Sequence, residues 1–212
     1  MMKKLNVNNT IDKKTGGGTA ERTLKMSESL QEAGLECSIL SDDMSDENGP
    51  TIRGEENTIL LPCISKRLYL PSLSLTTFRM IREAVLAADI VHLMSHWTFI
   101  NAFVYLLIRI DRKKELVGPA GSMTNYVRSK TFKRIYNYII GKSIIKNASS
   151  CIAITKDEIK QFESYGIRKE NIALIPNGVS SSDFETSNHE DFKKQFGLSD
   201  KPMILFWTAE FH

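Results

Sequence analysis

The sequence lacks any stretch apolar enough to span a bilayer, and no apolar run follows the two lysines of its opening MMKKLNVNNT. The second absence predicts no secretory signal. The most apolar segment, Trp97 to Ile110, is interrupted by Asn101 and closed by Arg109, Asp111 and Arg112. It falls short of the about 20 residues a spanning helix needs and reads as a buried core helix. Cysteine is scarce: Cys37, Cys63 and Cys151 lie far apart among apolar neighbours, without metal-ligand spacing. They are expected to be buried, reduced thiols in a cytoplasmic protein, and no metal site is predicted. Charge of one sign is also lacking, since a net +3 is too small to argue for a nucleic-acid partner. Internal repeats and low-complexity tracts are absent. What remains, 42% hydrophobic and 25% charged residues over 212 positions, suits an ordinary folded α/β domain.

Hydrophobic periodicity divides the chain into alternating strands and helices. Leu5 to Asn8 is a short first strand, followed by a polar loop and Gly16-Gly17-Gly18. Ala20, Leu24, Met26, Leu30 and Ala33 recur at helical spacing from Thr19, Gly34 stops that helix, and Cys37 to Leu40 is the second strand. Asp42, Asp43, Asp46 and Glu47 with Gly49-Pro50 read as a solvated loop. Strands follow at Thr58 to Leu61 (ended by Pro62), Asp89 to Leu93, Leu116-Val117, Cys151 to Ile154 and Ile172 to Ile175. The intervening helices are Phe78 to Ala88, Trp97 to Ile110, Ser129 to Asn147 and a last one ending at Tyr165 before Gly166. Thr155 and Glu158 form a capping box for that last helix. Short apolar strands alternating with helices predict a mostly parallel sheet covered on both faces.

Three features carry chemistry. The Gly16-Gly17-Gly18 turn before a helix suits backbone contact with an anion, or is simply a flexible turn; it is neither GxGxxG nor a P-loop. Between Glu115 and Asp157 no acidic residue occurs, while Arg128, Lys130, Lys133, Arg134, Lys142 and Lys146 do. Within helix 129–147, Phe132, Ile135 and Ile139 share one face and Tyr136, Ile140 and Ile144 the adjacent one. Such a basic amphipathic helix is either a solvated surface element or a face for anionic lipid or an anionic acceptor. His92, ending an apolar strand, reads as a satisfied structural histidine, and His189 and His212 carry no signal.

The segment SCIAITKDEIKQFESYGIRKENIALIPNGVSSSDF, from Ser150 to Phe184, closely resembles the end of the N-terminal domain of family 4 retaining glycosyltransferases. GGGTAERTLKMSESLQEAGLECSIL, ADIVHLMSHW and KPMILF are similar to further segments of that family, in the correct order. The resemblance implies a Rossmann-like N-terminal domain of the GT-B fold. It implies sugar transfer from a nucleotide-diphosphate donor, without a cofactor, to a saccharide or lipid-linked acceptor. By resemblance, Gly16, Gly17 and Gly18 line the cleft near donor phosphates or acceptor. Trp97, Gly121, Arg128 and Lys130 lie on the acceptor side, and Asn177-Gly178 forms a sharp interdomain turn. Family members often carry a histidine where this chain has Met94, and Pro-His-Gly where it has Pro119-Ala120-Gly121. His96 either supplies that imidazole, as the catalytic candidate, through a shifted loop, or the imidazole is absent.

The resemblance divides the chain into an acceptor-side domain 1–184, a linker with a short helix 185–201, and 202–212 as the first strand of a truncated donor-binding domain. Relatives continue with Gly-Arg-Leu or Gly-Arg-Ile where this chain ends in Phe206-Trp207-Thr208-Ala209-Glu210-Phe211-His212. One choice of codons for that ending, read one frame over, encodes Gly-Arg-Leu-Asn-Phe, so a frameshift is expected, or else a separate C-terminal half. Alone, the chain is expected to be inactive, and to lie in the cytoplasm or peripherally at the inner membrane face. The competing reading is a non-catalytic saccharide- or nucleotide-binding Rossmann-like module. A dehydrogenase-type domain is disfavoured, because Asp42 and Asp43 follow the wrong glycine pattern.

Overall fold

A computed structural model describes residues 1–44, 51–53, 57–66, 69–72, 74–123 and 130–179, with 194 and 197. The chain divides into two units, Met1–Asn177 and Gly178–His212, and all the strands described here lie in the first. Arg128, Ser129, the final strand and, apart from 194 and 197, the expected linker fall outside the described residues.

The strands are β1 (Lys3–Asn8), β2 (Glu36–Asp43), β3 (Thr51–Arg53), β4 (Thr58–Ser65), β5 (Leu70–Pro71), β6 (Ile90–Met94), β7 (Lys114–Gly118), β8 (Ser150–Ala153) and β9 (Ile172–Leu174). They form one sheet ordered β3-β4-β2-β1-β6-β7-β8-β9, with β5 also paired to β4. Every pairing from β4 to β9 is parallel, and only β3 and β5 run antiparallel to β4. The helices are α1 (Lys13–Glu32), α2 (Leu75–Ala87), α3 (Phe99–Asp111), α4 (Lys130–Tyr136), α5 (Lys142–Asn147) and α6 (Lys156–Ser164). A π turn, Asn137–Gly141, joins α4 to α5.

Strand alternation gives the sheet two unlike faces. Leu5, Val7, Val91, Leu93 and Val117 point into a core shared with Ile81 and Val85 of α2 and Ile100, Val104 and Ile108 of α3. Their neighbours Lys4, Asn6, Asn8 and His92 are buried too, but on the face covered by α1. There Asn6 Nδ2 donates to Ser27 Oγ at 2.8 Å and Lys4 Nζ lies 3.6 Å from Met26 Sδ. One helix pair is thus held by apolar burial, and the facing helix by polar contacts.

Several sequence expectations need correction. Asp42 and Asp43 belong to β2 and are buried, because the β-ladder continues to Pro62 of β4. Pro62 does not end β4, which runs on to Ser65 and pairs with β5. The expected helix 129–147 is broken by its π turn. Asn177 and Gly178 are exposed, and neither takes a left-handed conformation. Cys37 and Cys151 are buried free thiols, whereas Cys63 is only partly covered. His92 is fully buried with neither ring nitrogen hydrogen-bonded, hence not satisfied. Gly34 (φ 85°) and Gly166 (φ 86°) do end their helices in the left-handed region.

Glu115 of β7 is 1% exposed, and neither carboxylate oxygen has a hydrogen-bond partner. Burial pushes its pKa up to about 8, against a smaller opposing pull from Arg109. The folded pKa exceeds the unfolded one, so stability from the neutral form is complete below the unfolded value and is lost as pH rises through about 8. The expected result is a Tm gain for Glu115→Gln over wild type that grows by several degrees between pH 5 and pH 8. Thermal melts at both pH values check this; a pH-independent difference would show that the carboxyl is not held neutral.

Candidate functional site

The strand order reverses between β1 and β6, so their following loops leave toward α1 on one face and α3 on the other. In open α/β sheets such a switch point opens a crevice beyond the strand carboxyl ends. Asn8, the last residue of β1, is fully buried and ties this crevice together. Its Nδ2 donates to Thr10 O and Thr23 Oγ1, both at 3.0 Å, and its Oδ1 accepts from Ser95 Oγ at 3.2 Å. Asn8 was legible in the sequence only as a strand end; nothing in its neighbours marked it as a hub.

The three glycines have different reasons to be glycine. A Cβ on Gly16 would stand 2.7 Å from Ala20 Cβ and 2.8 Å from Thr10 Cγ2. Gly17 adopts φ 50°, ψ −138°, which kinks α1 after one turn. Gly18 has nothing within 4 Å of its Cβ position. The helix therefore begins at Lys13, earlier than the expected Thr19, because Gly16 N already donates to Asp12 O at 2.7 Å. Beyond the kink, the longer part of α1 starts at the crevice, and its N-terminal end carries partial positive charge there.

The loop after β6 is built from unusual backbone. Ser95 (φ 68°) and Trp97 (φ 65°) are both left-handed, a conformation that needs external support outside glycine. Asn101 of α3 supplies it, with Nδ2 donating to Met94 O at 3.0 Å and Ser95 O at 3.2 Å. Met94 is buried with its sulfur 3.4 Å from Thr23 Oγ1.

His96 is buried between Trp97 and Tyr136, at ring-centroid distances of 4.4 and 5.8 Å. Its Nε2 lies 3.4 Å from Asn137 Oδ1, and Asn137 Nδ2 donates to Tyr165 OH at 2.8 Å. Burial, more than the nearby Lys133 charge, pulls its pKa down to about 4, against the opposing Asn137 contact. The imidazole is neutral near pH 7. The π turn presents Asn137 here, and Gly141 is required because a Cβ would lie 2.5 Å from Asn137 Oδ1.

The structure brings Trp97 and the Gly121 turn together: Trp97 Nε1 donates to Ser122 O at 2.8 Å. Lys133 Nζ sits 5.6 Å over the Trp97 ring, a cation–π distance. Lys130 opens α4 and is exposed. The glycine turn and His96 are linked through Asn8 and Ser95 rather than by direct hydrogen bonds. Among the described residues no cluster of three or more His, Cys, Asp or Glu is placed to hold a metal ion.

With this geometry in view, comparison with known proteins is informative. The sequence profile of Glycosyltransferase Family 4 matches residues 16–183. No curated protein matches the chain by sequence. Among solved structures, sucrose-phosphate synthase from Thermosynechococcus elongatus superposes with TM-score 0.68 at 19% identity, over 95% of this chain and 54% of its own. Anabaena HepE in complex with UDP-glucose gives TM-score 0.64 at 14% identity, over 93% of this chain and 50% of its own. UDP-GlcNAc 2-epimerase from Neisseria meningitidis gives 0.56 at 13% identity, over 94% and 55%. These likenesses show a shared GT-B-type half, and the chain spans about half the length of each.

The glycine geometry predicts an order of stabilities. Gly16→Ala is expected to destabilise most, since Ala20 and the Thr10 backbone oxygen both crowd the new methyl. Gly17→Ala should lose about 1 kcal/mol from its left-handed φ. Gly18→Ala should melt within error of wild type or slightly above it. Chemical denaturation of the three variants tests this, and a Gly18 variant less stable than the Gly16 one would contradict the placement.

Proposed function

Because this chain belongs to glycosyltransferase family 4, we propose that it forms the acceptor-side half of a retaining transferase that moves a sugar from a nucleotide-diphosphate donor to a saccharide or lipid-linked acceptor. The observation that carries this reading is the β1–β6 switch point, beside which Gly18, just past the Gly17 kink of α1, has open space at its Cβ position. A departing nucleotide diphosphate gathers negative charge, which oriented N–H groups stabilise without reorganising. UDP-sugar complexes of HepE and of the Neisseria meningitidis epimerase support a nucleotide sugar as the donor class.

In this reading Gly18, with the turn formed by Gly16 and Gly17, approaches the donor phosphates or acceptor. Trp97, Gly121 and Lys130 form the acceptor wall, Lys133 adds charge beside Trp97, and Asn177-Gly178 leads to the second half. His96, neutral and fixed by Asn137, is an acceptor-side polar contact whose tautomer is set by that amide. Donor and acceptor are held in register only by two opposed walls, and that positioning supplies much of the rate. In this reading the acceptor-side half is inactive until a donor-binding half joins it.

The same reading gives the α4–α5 segment a role. Phe132, Ile135, Tyr138 and Ile139 are exposed on successive turns, flanked by Lys130, Arg134, Lys142 and Lys146, while Tyr136, Ile144 and Ile145 face inward. An apolar stripe edged with lysine and arginine suits the headgroup layer of an anionic membrane. Among the described residues no helix is long and apolar enough to cross one. The contact is thus peripheral, and it brings the Trp97 wall near lipid-linked acceptors.

Two measurements test these readings. In 1H–15N spectra, UDP-glucose is expected to shift the amides of Gly17 to Thr19 in wild type and not in Gly18→Ala, while neither protein turns it over. Unmoved amides would remove the phosphate role, and turnover would refute the inactive half. Sedimentation with phosphatidylglycerol vesicles should capture wild type at low salt, and Ile135→Asp with Ile139→Asp should reduce capture at least roughly tenfold. Equal capture of both would place the membrane face elsewhere.

A further inference from the structure

Glu158 opens a line of contacts that crosses the site. Thr155 Oγ1 caps α6 by accepting from Glu158 N at 3.2 Å. In a complete capping box the glutamate side chain would return to the Thr155 amide. Here it does not: Oε2 accepts from Ile154 N at 2.7 Å, and Oε1 accepts from the amide of Gly121, in the loop after β7. Glu158 is 2% exposed, and a buried carboxylate needs such partners to remain where it is. Arg22 of α1 adds a favourable charge interaction with Glu158 and is itself partly desolvated.

The loop held in this way is strained. Ala120 (φ 50°) and Gly121 (φ 87°) are consecutive left-handed residues, of which only the second is glycine. Ser122 closes the turn, with its N and Oγ both donating to Pro119 O, at 3.1 and 2.6 Å. The Ser122 carbonyl then accepts the Trp97 indole N–H. Trp97 is left-handed as well and packs on His96. The path of contacts therefore runs from Glu158 through the Gly121 amide and Ser122 to the Trp97 indole.

We propose that Glu158 is a positioning residue, which holds the 119–122 turn through the Gly121 amide and thereby fixes Trp97 on the acceptor wall. The consequence for sugar transfer rests on the acceptor-side reading above; the positioning itself does not. A simple helix cap would confine the effect of Glu158 to the first turn of α6. A positioning residue transmits it to Trp97, on a different loop.

The test uses 1H–15N spectra of the full chain carrying Trp207→Phe, which leaves Trp97 as the single indole. Glu158→Gln keeps the shape but replaces one accepting oxygen with an NH2 group. It is expected to shift the Trp97 indole resonance and to speed Gly121 amide exchange on the order of tenfold. Glu158→Asp, which shortens the reach to the Gly121 amide, should move the same resonance in the same direction. Thr155→Ala, which removes the cap alone, should loosen the α6 first-turn amides and leave the indole unmoved. The proposal is overturned if Glu158→Gln loosens α6 without moving the Trp97 signal. Should that variant not fold, an unmoved signal in Glu158→Asp overturns it equally. No nucleotide sugar is present in these spectra, so a chain that binds none still gives a decisive answer.

Discussion

The buried amide of Asn8 is the contact on which the site depends. Two loops leave the central strand pair in opposite directions, and nothing in the β-ladder fixes their separation. Asn8 does so by donating toward α1 and accepting from Ser95 in the same plane. Each such bond is worth about 1 kcal/mol net, but stripping a buried polar group of its partner costs about 1–3 kcal/mol. The asymmetry makes the arrangement self-enforcing, because any slippage of α1 or the Ser95 loop leaves buried polar atoms unpaired.

This constraint explains why the face under α1 is polar. Asn6, Asn8, Thr23 and Ser27 satisfy one another across the strand–helix interface, and Lys4 reaches Met26. Satisfaction is incomplete: Asn6 Oδ1, Arg22 Nη1 and both ring nitrogens of His92 are buried without partners. Burial drives His92 well below the ordinary histidine range, with the Lys4 and Arg22 charges adding to the effect. The opposite face is filled mainly by Leu, Val and Ile, yet it too holds unpaired carboxylates, Glu115 beside Val117 and Asp42 beside Leu40. Three left-handed residues outside glycine, Ser95, Trp97 and Ala120, stand in the loops after β6 and β7, while Asn57, Tyr69 and Arg112 lie elsewhere.

The alternation of strands and helices was legible because apolar periodicity reports burial directly, and the parallel sheet followed from it. Helix stops at Gly34 and Gly166 were legible for a similar reason, since few other residues adopt their backbone. The polar seam was not legible. Asn8 and Glu158 look like ordinary strand-end and capping residues until tertiary contacts appoint their partners, on loops far away in sequence. Asp42 misled for the converse reason: an acidic cluster beside Gly49-Pro50 normally signals solvent, yet Asp42 is buried, both its oxygens unpaired, with its pKa pushed up to about 8 by burial. His96 was found by its place after β6, but its enclosure by Tyr136 and Asn137 depends on a π turn that no periodicity announced.

That π turn sets a rotational phase. Each residue in an α-helix advances the side-chain direction by about 100°, so one additional residue in a turn re-indexes everything after it. Through Asn137–Gly141, Tyr136 on one side and Ile144-Ile145 on the other both face the interior. Deleting a single residue there would restore continuous α-helix and swing α5 about a quarter-turn relative to α4. Ile144 and Ile145 would leave the core or drag the exposed stripe with them. The angle between the aromatic wall and the basic surface is therefore encoded in residue count rather than in residue type, and an alignment that closed the gap would erase it.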